Sequence, residues 1–198
     1  MKKGLFLLVT AFLMVLLFSC SSDKKEKPPH ESDYKASAMK YMPLSLGNKW
    51  KYQVNYFGSS GVVDIQITAT DGDWFIDNKG GRLKCDKRGV RDDDRYLLMF
   101  PLQREPWISI INNKTRELRN TEGVDESVNV PAGKFDGAVK VHTMVDLPDG
   151  KVLHSYHYFV FDVGIVKIQT FIEDVKEGKM IPQTLTELIE YTVNNGKS

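Results

Sequence analysis

The chain has 198 residues with 27 basic and 26 acidic side chains, so its formal net charge is +1. Charges of both signs are interspersed, and no stripe of alternating aromatic and basic residues runs along the sequence. We therefore expect no nucleic-acid partner, because such partners require a basic surface.

The first 19 residues have the order of a secretory signal peptide. Lys2 and Lys3 precede fifteen uncharged residues, 4–18, that are rich in Leu, Phe and Val, and a charged segment follows. This apolar run is short for a permanent transmembrane helix, which needs about 18 or more apolar residues. Residues 1–19 are predicted to be removed, and an uncleaved membrane anchor is the alternative.

The end of this segment, Leu17-Phe18-Ser19-Cys20, resembles the lipobox of bacterial lipoproteins. The resemblance implies cleavage between Ser19 and Cys20, a diacylglyceryl group on the Cys20 sulfur and acylation, for example with palmitate, of the new amine. Two or more acyl chains anchor a protein stably, whereas one does so only marginally. Ser21 resembles an outer-membrane sorting signal. The expected location is the cell envelope, facing the periplasm, with the outer membrane favoured over the inner one.

Cys85 is the second cysteine, and lipidation of Cys20 excludes a disulfide between the two. Cys85 alternates with Leu83, so both side chains lie on one face of a predicted strand. Because cysteine is among the most frequently buried residue types, we expect the Cys85 thiol to pack in the core.

Two segments follow the signal peptide. Residues 20–40 contain the lipidated cysteine and a charged stretch with paired prolines and no apolar periodicity, which predicts a flexible linker. Residues 41–198 are long enough for one domain with a substantial core.

Period-two alternation predicts antiparallel strands in this domain. In residues 50–56 the even positions are apolar or aromatic and the odd positions polar. Gly58-Ser59-Ser60-Gly61 predicts a turn, and Val63, Ile65 and Ile67 continue a hairpin. Further turns are predicted at 78–81, 147–150 and 162–164. In the second of them, Pro148 and Gly150 fit the turn geometry. These turns separate predicted strands around 83–85, 138–147, 151–161 and 163–172.

Residues 184–193 fit two structures. Leu185, Leu188 and Ile189 have helical spacing, and Thr184 with Glu187 could form a capping box. The β-branched and aromatic content favours a strand, which we predict here. The fold class predicted for the whole chain is mainly β, a single antiparallel curved sheet or half-barrel after a cleaved signal peptide, with one short helix allowed for.

Three histidines lie in the predicted hairpin around Pro148. One register puts His142 and His154 on the same face and His157 on the other, and no register gathers all three. Because protein metal sites need three or four convergent ligands, we expect no metal there.

The acidic run at residues 92–94 is the other candidate cation site. It lacks the ligand spacing and the glycine of an EF-hand loop, and Arg91 and Arg95 flank it. We expect a salt-bridged turn.

No motif for nucleophilic, metal-dependent or phosphate chemistry is present. We therefore predict a protein that is not an enzyme, with no catalytic residues and no cofactor. The strands are rich in aromatic residues, and the run 152–161 has bulky groups on both faces. Core packing explains this pattern, and the alternative is a curved sheet whose concave face forms a groove for an apolar ligand or a partner.

Several phrases, taken in order, resemble a group of bacterial lipoproteins and exported proteins for which no activity is established. They are Met42-Pro43-Leu44, Gly47-Asn48-Lys49-Trp50-Lys51-Tyr52, Phe100-Pro101-Leu102 with Trp107, Val130-Pro131-Ala132-Gly133-Lys134-Phe135, and Tyr158-Phe159 with Val163-Gly164-Ile165-Val166. The resemblance implies an antiparallel sheet curved around a helix or loop, similar to the half-barrels of the LolA and LolB type. It implies no catalytic residue.

The expected function is therefore that of a membrane-anchored lipoprotein that binds an apolar ligand or an envelope protein without catalysis. An accessory subunit that acts by adding a strand to a partner sheet is the alternative. A hydrolase is a remote third.

Overall fold

The computed structural model describes residues 31–102, 105–111 and 114–194. Within them lie one helix and twelve strands, as predicted for a mainly β chain with one short helix. Their bounds are α1 (Glu31–Tyr41), β1 (Lys49–Tyr56), β2 (Ser59–Asp71), β3 (Trp74–Asp77), β4 (Arg82–Asp86), β5 (Gly89–Arg91), β6 (Tyr96–Met99), β7 (Trp107–Ile111), β8 (Thr115–Val130), β9 (Gly133–Asp146), β10 (Val152–Val160), β11 (Gly164–Asp174) and β12 (Lys179–Thr192).

The predicted signal peptide, Ser19 and Cys20 lie outside the described residues. In the part of the chain that is described, no helix is long and apolar enough to cross a membrane.

The strands form one antiparallel sheet in the order β6-β5-β4-β3-β2-β1-β12-β11-β10-β9-β8-β7. The sheet curls until its two edges approach each other. Trp107 Nε1 on β7 donates to the carbonyl oxygen of Tyr96 on β6 at 3.2 Å, and Arg95 Nη1 lies 2.6 Å from Glu117 Oε1 on β8. The result is a nearly closed barrel, which confirms the predicted curved antiparallel sheet.

Register irregularities give the sheet its curvature. They include a shift opposite Lys51 and Tyr52 of β1, one opposite residues 158 and 159 of β10 and one opposite residues 170 and 171 of β11; the extra residue lies on the partner strand, which is β12, β11 and β12 respectively. An extra residue in one strand bends it and increases the local twist. These three shifts fall on the central strands, and others lie in the β2–β3, β5–β6 and β8–β9 pairs.

The first hairpin turns one residue earlier than predicted. Phe57 and Gly58 both have positive φ, at 43° and 79°, as a tight two-residue hairpin turn requires. Ser59 to Gly61 therefore continue the ladder opposite Tyr56 to Val54. The predicted turn at 147–150 is confirmed, with Gly150 N donating to Leu147 O at 3.1 Å, and residues 184–192 form a strand as predicted.

The helix corrects the predicted end of the flexible linker at residue 40. Residues 31–41 are helical, and the side chain of Ala38 is fully buried. The Tyr41 ring packs edge-on against Phe161 with 5.6 Å between centroids, and Lys40 O accepts from Asp162 N at 2.6 Å. Tertiary contacts with the sheet support this helix, and a sequence window without apolar periodicity does not reveal them.

The core lies on the concave side of the sheet, next to α1. Trp50 is 1% exposed, and its Nε1 donates to the carbonyl oxygen of Val163 at 2.6 Å. Asn48, also buried, donates from Nδ2 to Pro43 O at 2.7 Å and accepts from Asn194 N at 2.8 Å. All of these described contacts lie between α1 and Asn194, so residues 31–198 retain every one of them.

Candidate functional site

The register shows which side chains point into the barrel interior, which we call the lumen. Side chains of residues paired across neighbouring antiparallel strands lie on the same face. One row runs through the fully buried Val141 and therefore lines the lumen; it consists of Thr121, Val141, His157, Ile168, Thr186 and Val54. The lumen thus has polar groups at the β8 end of this row and apolar groups at the β1 end.

The apolar half of the lumen contains a cavity of about 270 Å³. Its wall is formed mainly by apolar side chains, including Trp50, Tyr52, Val54, Ile65, Leu83 and Ile168, with Met42 beside them. Most of the strand residues that line this cavity are half-buried.

Two polar side chains at the cavity are already engaged by the backbone. The Tyr52 hydroxyl donates to Ile165 O at 2.8 Å, and burial raises the pKa of Tyr52 far above its usual value. Asp77 Oδ1 accepts from Lys79 N at 2.7 Å and from Gly81 N at 2.9 Å. This half of the lumen therefore presents mainly hydrocarbon to an occupant.

A buried ion-pair network lies on the polar half. Arg119 is 2% exposed, and its Nε donates to Glu117 Oε2 at 3.0 Å. The other oxygen of Glu117 accepts from Arg95, whose Nε contacts Asp92 Oδ2 at 3.2 Å. Burial lowers the pKa of Arg119, and Glu117 opposes this effect. Two guanidinium groups thus share one buried carboxylate.

Four polar atoms next to this network are buried and have no hydrogen-bond partner among the residues described. They are Arg119 Nη1, Thr121 Oγ1, Thr143 Oγ1 and His157 Nδ1, and we call these four residues the polar patch. The other ring nitrogen of His157 lies 3.1 Å from Ser155 Oγ. Burial, together with the charges of Arg119 and Arg95, lowers the pKa of His157 to about 3, so its imidazole is neutral at physiological pH.

The outer face of the sheet carries the other two histidines of the predicted hairpin. His142 Nε2 lies 2.8 Å from His154 Nδ1, and His154 Nε2 lies 2.8 Å from Glu173 Oε2. Burial lowers the pKa of His142. The observed register is the one that separates His157 from the other two. Within the described ranges, no group of three or more His, Cys, Asp or Glu side chains is arranged to hold a metal ion.

The acidic run at 92–94 forms the predicted salt-bridged turn. Asp92 Oδ1 accepts from the backbone nitrogens of Asp94 and Arg95 at 2.9 and 2.8 Å, and Asp93 Oδ1 lies 3.7 Å from Arg82 Nη1. Cys85 is 6% exposed, which confirms its predicted burial, and its Sγ lies 3.6 Å from Met42 O.

The sequence pattern identified the aromatic residues of β1 as candidates to line a groove, but it did not identify Glu117, Arg119 and Thr143. The available signal was the alternation Glu117, Arg119, Thr121, which puts three polar groups on one face of a strand. Because the neighbouring residues 115–130 show no clear apolar alternation, this strand was not predicted.

No family model matches the chain, and no curated relative matches it. Two solved structures resemble this chain at low sequence identity. A candidate lipoprotein from Parabacteroides distasonis ATCC 8503 is 14% identical with a TM-score of 0.46, and the match covers 77% of this chain and 98% of that one. A candidate exported protein with a YmcC-like fold from Bacteroides fragilis NCTC 9343 is 12% identical with a TM-score of 0.44, covering 75% and 97%. The similarity to LolA- and LolB-type half-barrels stays a prediction.

Proposed function

We propose that this chain is a membrane-anchored lipoprotein of the bacterial cell envelope whose lumen holds an apolar small molecule and catalyses no reaction on it. The observation that carries the proposal is the cavity of about 270 Å³ between apolar side chains of β1, β2, β4 and β11. Ligand pockets are concave and mostly apolar, with a few polar groups that orient the ligand. The lumen has this composition.

The volume of the cavity indicates the size of the group that it can hold. A water-sized group takes about 30 Å³, so the cavity of about 270 Å³ has room for roughly nine such groups. Because Trp50 and Tyr52 are fixed by hydrogen bonds to backbone carbonyls, the wall on the β1 side is held open. A short alkyl chain or a small ring system fits these dimensions.

A small molecule is favoured over strand addition because the two sheet edges approach each other. Trp107 on β7 bonds to the backbone of β6, and Arg95 reaches across to β8. A partner strand at either edge would have to displace these contacts.

The proposal of a lipid anchor rests on the sequence of residues 1–20 alone. In cells, Cys20→Ala is expected to abolish palmitate labelling and to leave the precursor uncut, whereas the wild-type chain is labelled and shortened. Labelling that persists in Cys20→Ala would refute the anchor. Separation of inner and outer membranes would then show whether Ser21 directs the protein to the outer one, as we propose.

Cavity occupancy is tested with residues 31–198 and the neutral fluorescent probe 1-N-phenylnaphthylamine. We expect saturable binding that Val54→Phe weakens at least tenfold, because the added ring fills the cavity. Val62→Phe is the matched control: it lies on the adjacent strand, points outward and is 58% exposed. No saturable binding, or equal effects of the two variants, would contradict the proposal.

A further inference from the structure

The outer face of the sheet carries a second concavity, which we call the outer groove. It has a volume of about 390 Å³ and lies between the tip of the β1–β2 hairpin and the surface of β11 and β12. Leu185 in its floor precedes Thr186 of the luminal row, so the Leu185 side chain points away from the lumen. Asn55 and Gln169 pair with Leu185 from the two neighbouring strands and share its face. The outer groove is therefore separate from the apolar cavity.

The lining of the outer groove combines aromatic rings with uncharged amides. The rings belong to Tyr56, Phe57 and Phe171, and the amides to Asn55, Gln169 and Gln183. None of the described residues that line the groove is charged. The side-chain amides of Asn55 and Gln169 form no hydrogen bond with any other described residue. Their donors and acceptors are therefore available to an occupant of the groove.

These groups fit a ligand that is neutral, hydroxylated and ring-shaped. A carboxamide offers both N–H donors and an acceptor oxygen, and a sugar hydroxyl likewise donates and accepts. The face of an aromatic ring is partially negative, so it attracts the C–H groups of a sugar ring, which the neighbouring oxygens polarise. An ionic ligand finds no opposite charge in the described lining. A hydrocarbon would cover the Asn55 and Gln169 amides without bonding to them, which is unfavourable.

The pairing of the strands argues against a peptide in this groove. A peptide that extends a sheet bonds to the free main chain of an edge strand. β1, β11 and β12 each have a neighbouring strand on both sides, so their main chains are already paired. The groove therefore offers its side chains to a ligand.

Phe57 has an unusual backbone conformation at the edge of the groove. Its φ of 43° lies in the left-handed region, which bulky residues seldom adopt and where tight hairpin turns prefer asparagine or glycine. Its side chain is 64% exposed, and its ring packs edge-on against Tyr56 with 4.4 Å between centroids. Strained residues of this kind cluster at ligand-binding sites. The turn thus presents an aromatic ring where a better turn residue would present none.

We propose that the outer groove binds a neutral saccharide, with one sugar ring packed on Phe57 and its hydroxyls bonded to Asn55 and Gln169. A water-sized group takes about 30 Å³, so the groove of about 390 Å³ has room for roughly thirteen such groups. A hexose has about twelve non-hydrogen atoms, which matches this volume. Because Phe57 and Pro182 are exposed, a longer glycan can continue from the bound ring into solvent.

A printed array of neutral and acidic oligosaccharides tests this inference with fluorescently labelled residues 31–198. We expect binding to at least one neutral glycan, and calorimetric titration then gives the affinity for the strongest of them. Phe57→Asn should weaken this affinity about tenfold, whereas the urea midpoint should stay equal or rise because asparagine fits the turn better. Gln169→Ala should also weaken the affinity about tenfold.

Gln66→Ala is the matched control for Gln169→Ala. Gln66 is half-buried on β2, where it pairs with Lys49 on the outer face, and it does not line the groove. This variant should therefore leave the affinity unchanged. In NMR spectra, the side-chain amide signals of Asn55 and Gln169 should shift when the glycan is added, and the signal of Gln66 should not.

Each outcome decides the inference separately from the luminal site. The inference would be overturned by an array that shows no neutral glycan bound or only acidic ones. Equal affinities of the wild type, Phe57→Asn and Gln169→Ala for the bound glycan would also overturn it. Phe57→Asn should bind 1-N-phenylnaphthylamine as the wild type does, so a failure of saccharide binding leaves the proposed luminal function standing.

Discussion

Lowering the pH from 7 to 5 should destabilise the domain through His157. Burial and two nearby arginines lower the pKa of this imidazole to about 3 in the folded protein, whereas the unfolded chain has a pKa of about 6.5. Between these values the unfolded state binds a proton that the folded state does not. The stabilisation is therefore fully present above about pH 6.5 and is lost as the pH falls towards 3.

The size of the effect follows from the two pKa values. A pH of 5 lies about 1.5 units below the pKa of the unfolded histidine, whereas the folded histidine stays neutral at this pH. Each unit corresponds to about 1.36 kcal/mol, so the free energy of unfolding should fall by about 2 kcal/mol between pH 7 and pH 5.

Urea unfolding of residues 31–198 at the two pH values measures this loss. His157→Gln is neutral at both, and it should lose about 2 kcal/mol less than the wild type. His142→Gln, on the outer face, should retain most of the wild-type loss. If His157→Gln and the wild type lost the same free energy, His157 would not be a buried neutral group, and the description of the polar half of the lumen would be wrong.

Three further predictions concern the core. Trp50→Phe removes the hydrogen bond to Val163 O and leaves space beside a smaller ring, so urea unfolding should show a loss of about 2–4 kcal/mol; a loss below about 1 kcal/mol would contradict this account. Cys85 in residues 31–198 should react with a thiol reagent only after denaturation, as followed by mass spectrometry, and rapid labelling of the folded protein would refute its burial. Gly89→Ala should cost more than about 2 kcal/mol, because Gly89 has a φ of 147° and a Cβ there would overlap the carbonyl oxygen of Leu98; unchanged unfolding would count against this close approach.

Local sequence patterns were sufficient to predict a strand where one of its faces is apolar and the other polar. Residues 50–56 alternate in this way, and they form β1 with Trp50 inside. The turn at Pro148 and Gly150 fixed the hairpin between β9 and β10. Because this turn is short, only a few registers are possible for the hairpin. The observed register is one of those considered from the sequence.

The same reasoning failed for β8, whose inner face is polar. Glu117, Arg119 and Thr121 point into the lumen, and this charge pattern is typical of an exposed segment rather than a buried one. Arg119 is buried because Glu117 neutralises it, and Arg95 reaches Glu117 only after the sheet has curled. A pairing between residues from opposite edges of a sheet leaves no local trace in the sequence.

The sequence by itself determined the antiparallel class, the hairpin turns and the burial of Cys85, because these depend on the alternation of neighbouring residues. It also supplied the predicted lipid anchor at Cys20. Only the tertiary structure decided that α1 packs on the sheet, that the sheet curls until β6 and β7 approach each other, and that an apolar cavity adjoins four buried polar groups. These features depend on contacts between residues far apart in the chain, and the free energy of such contacts is set by the closed shape rather than by any local pattern.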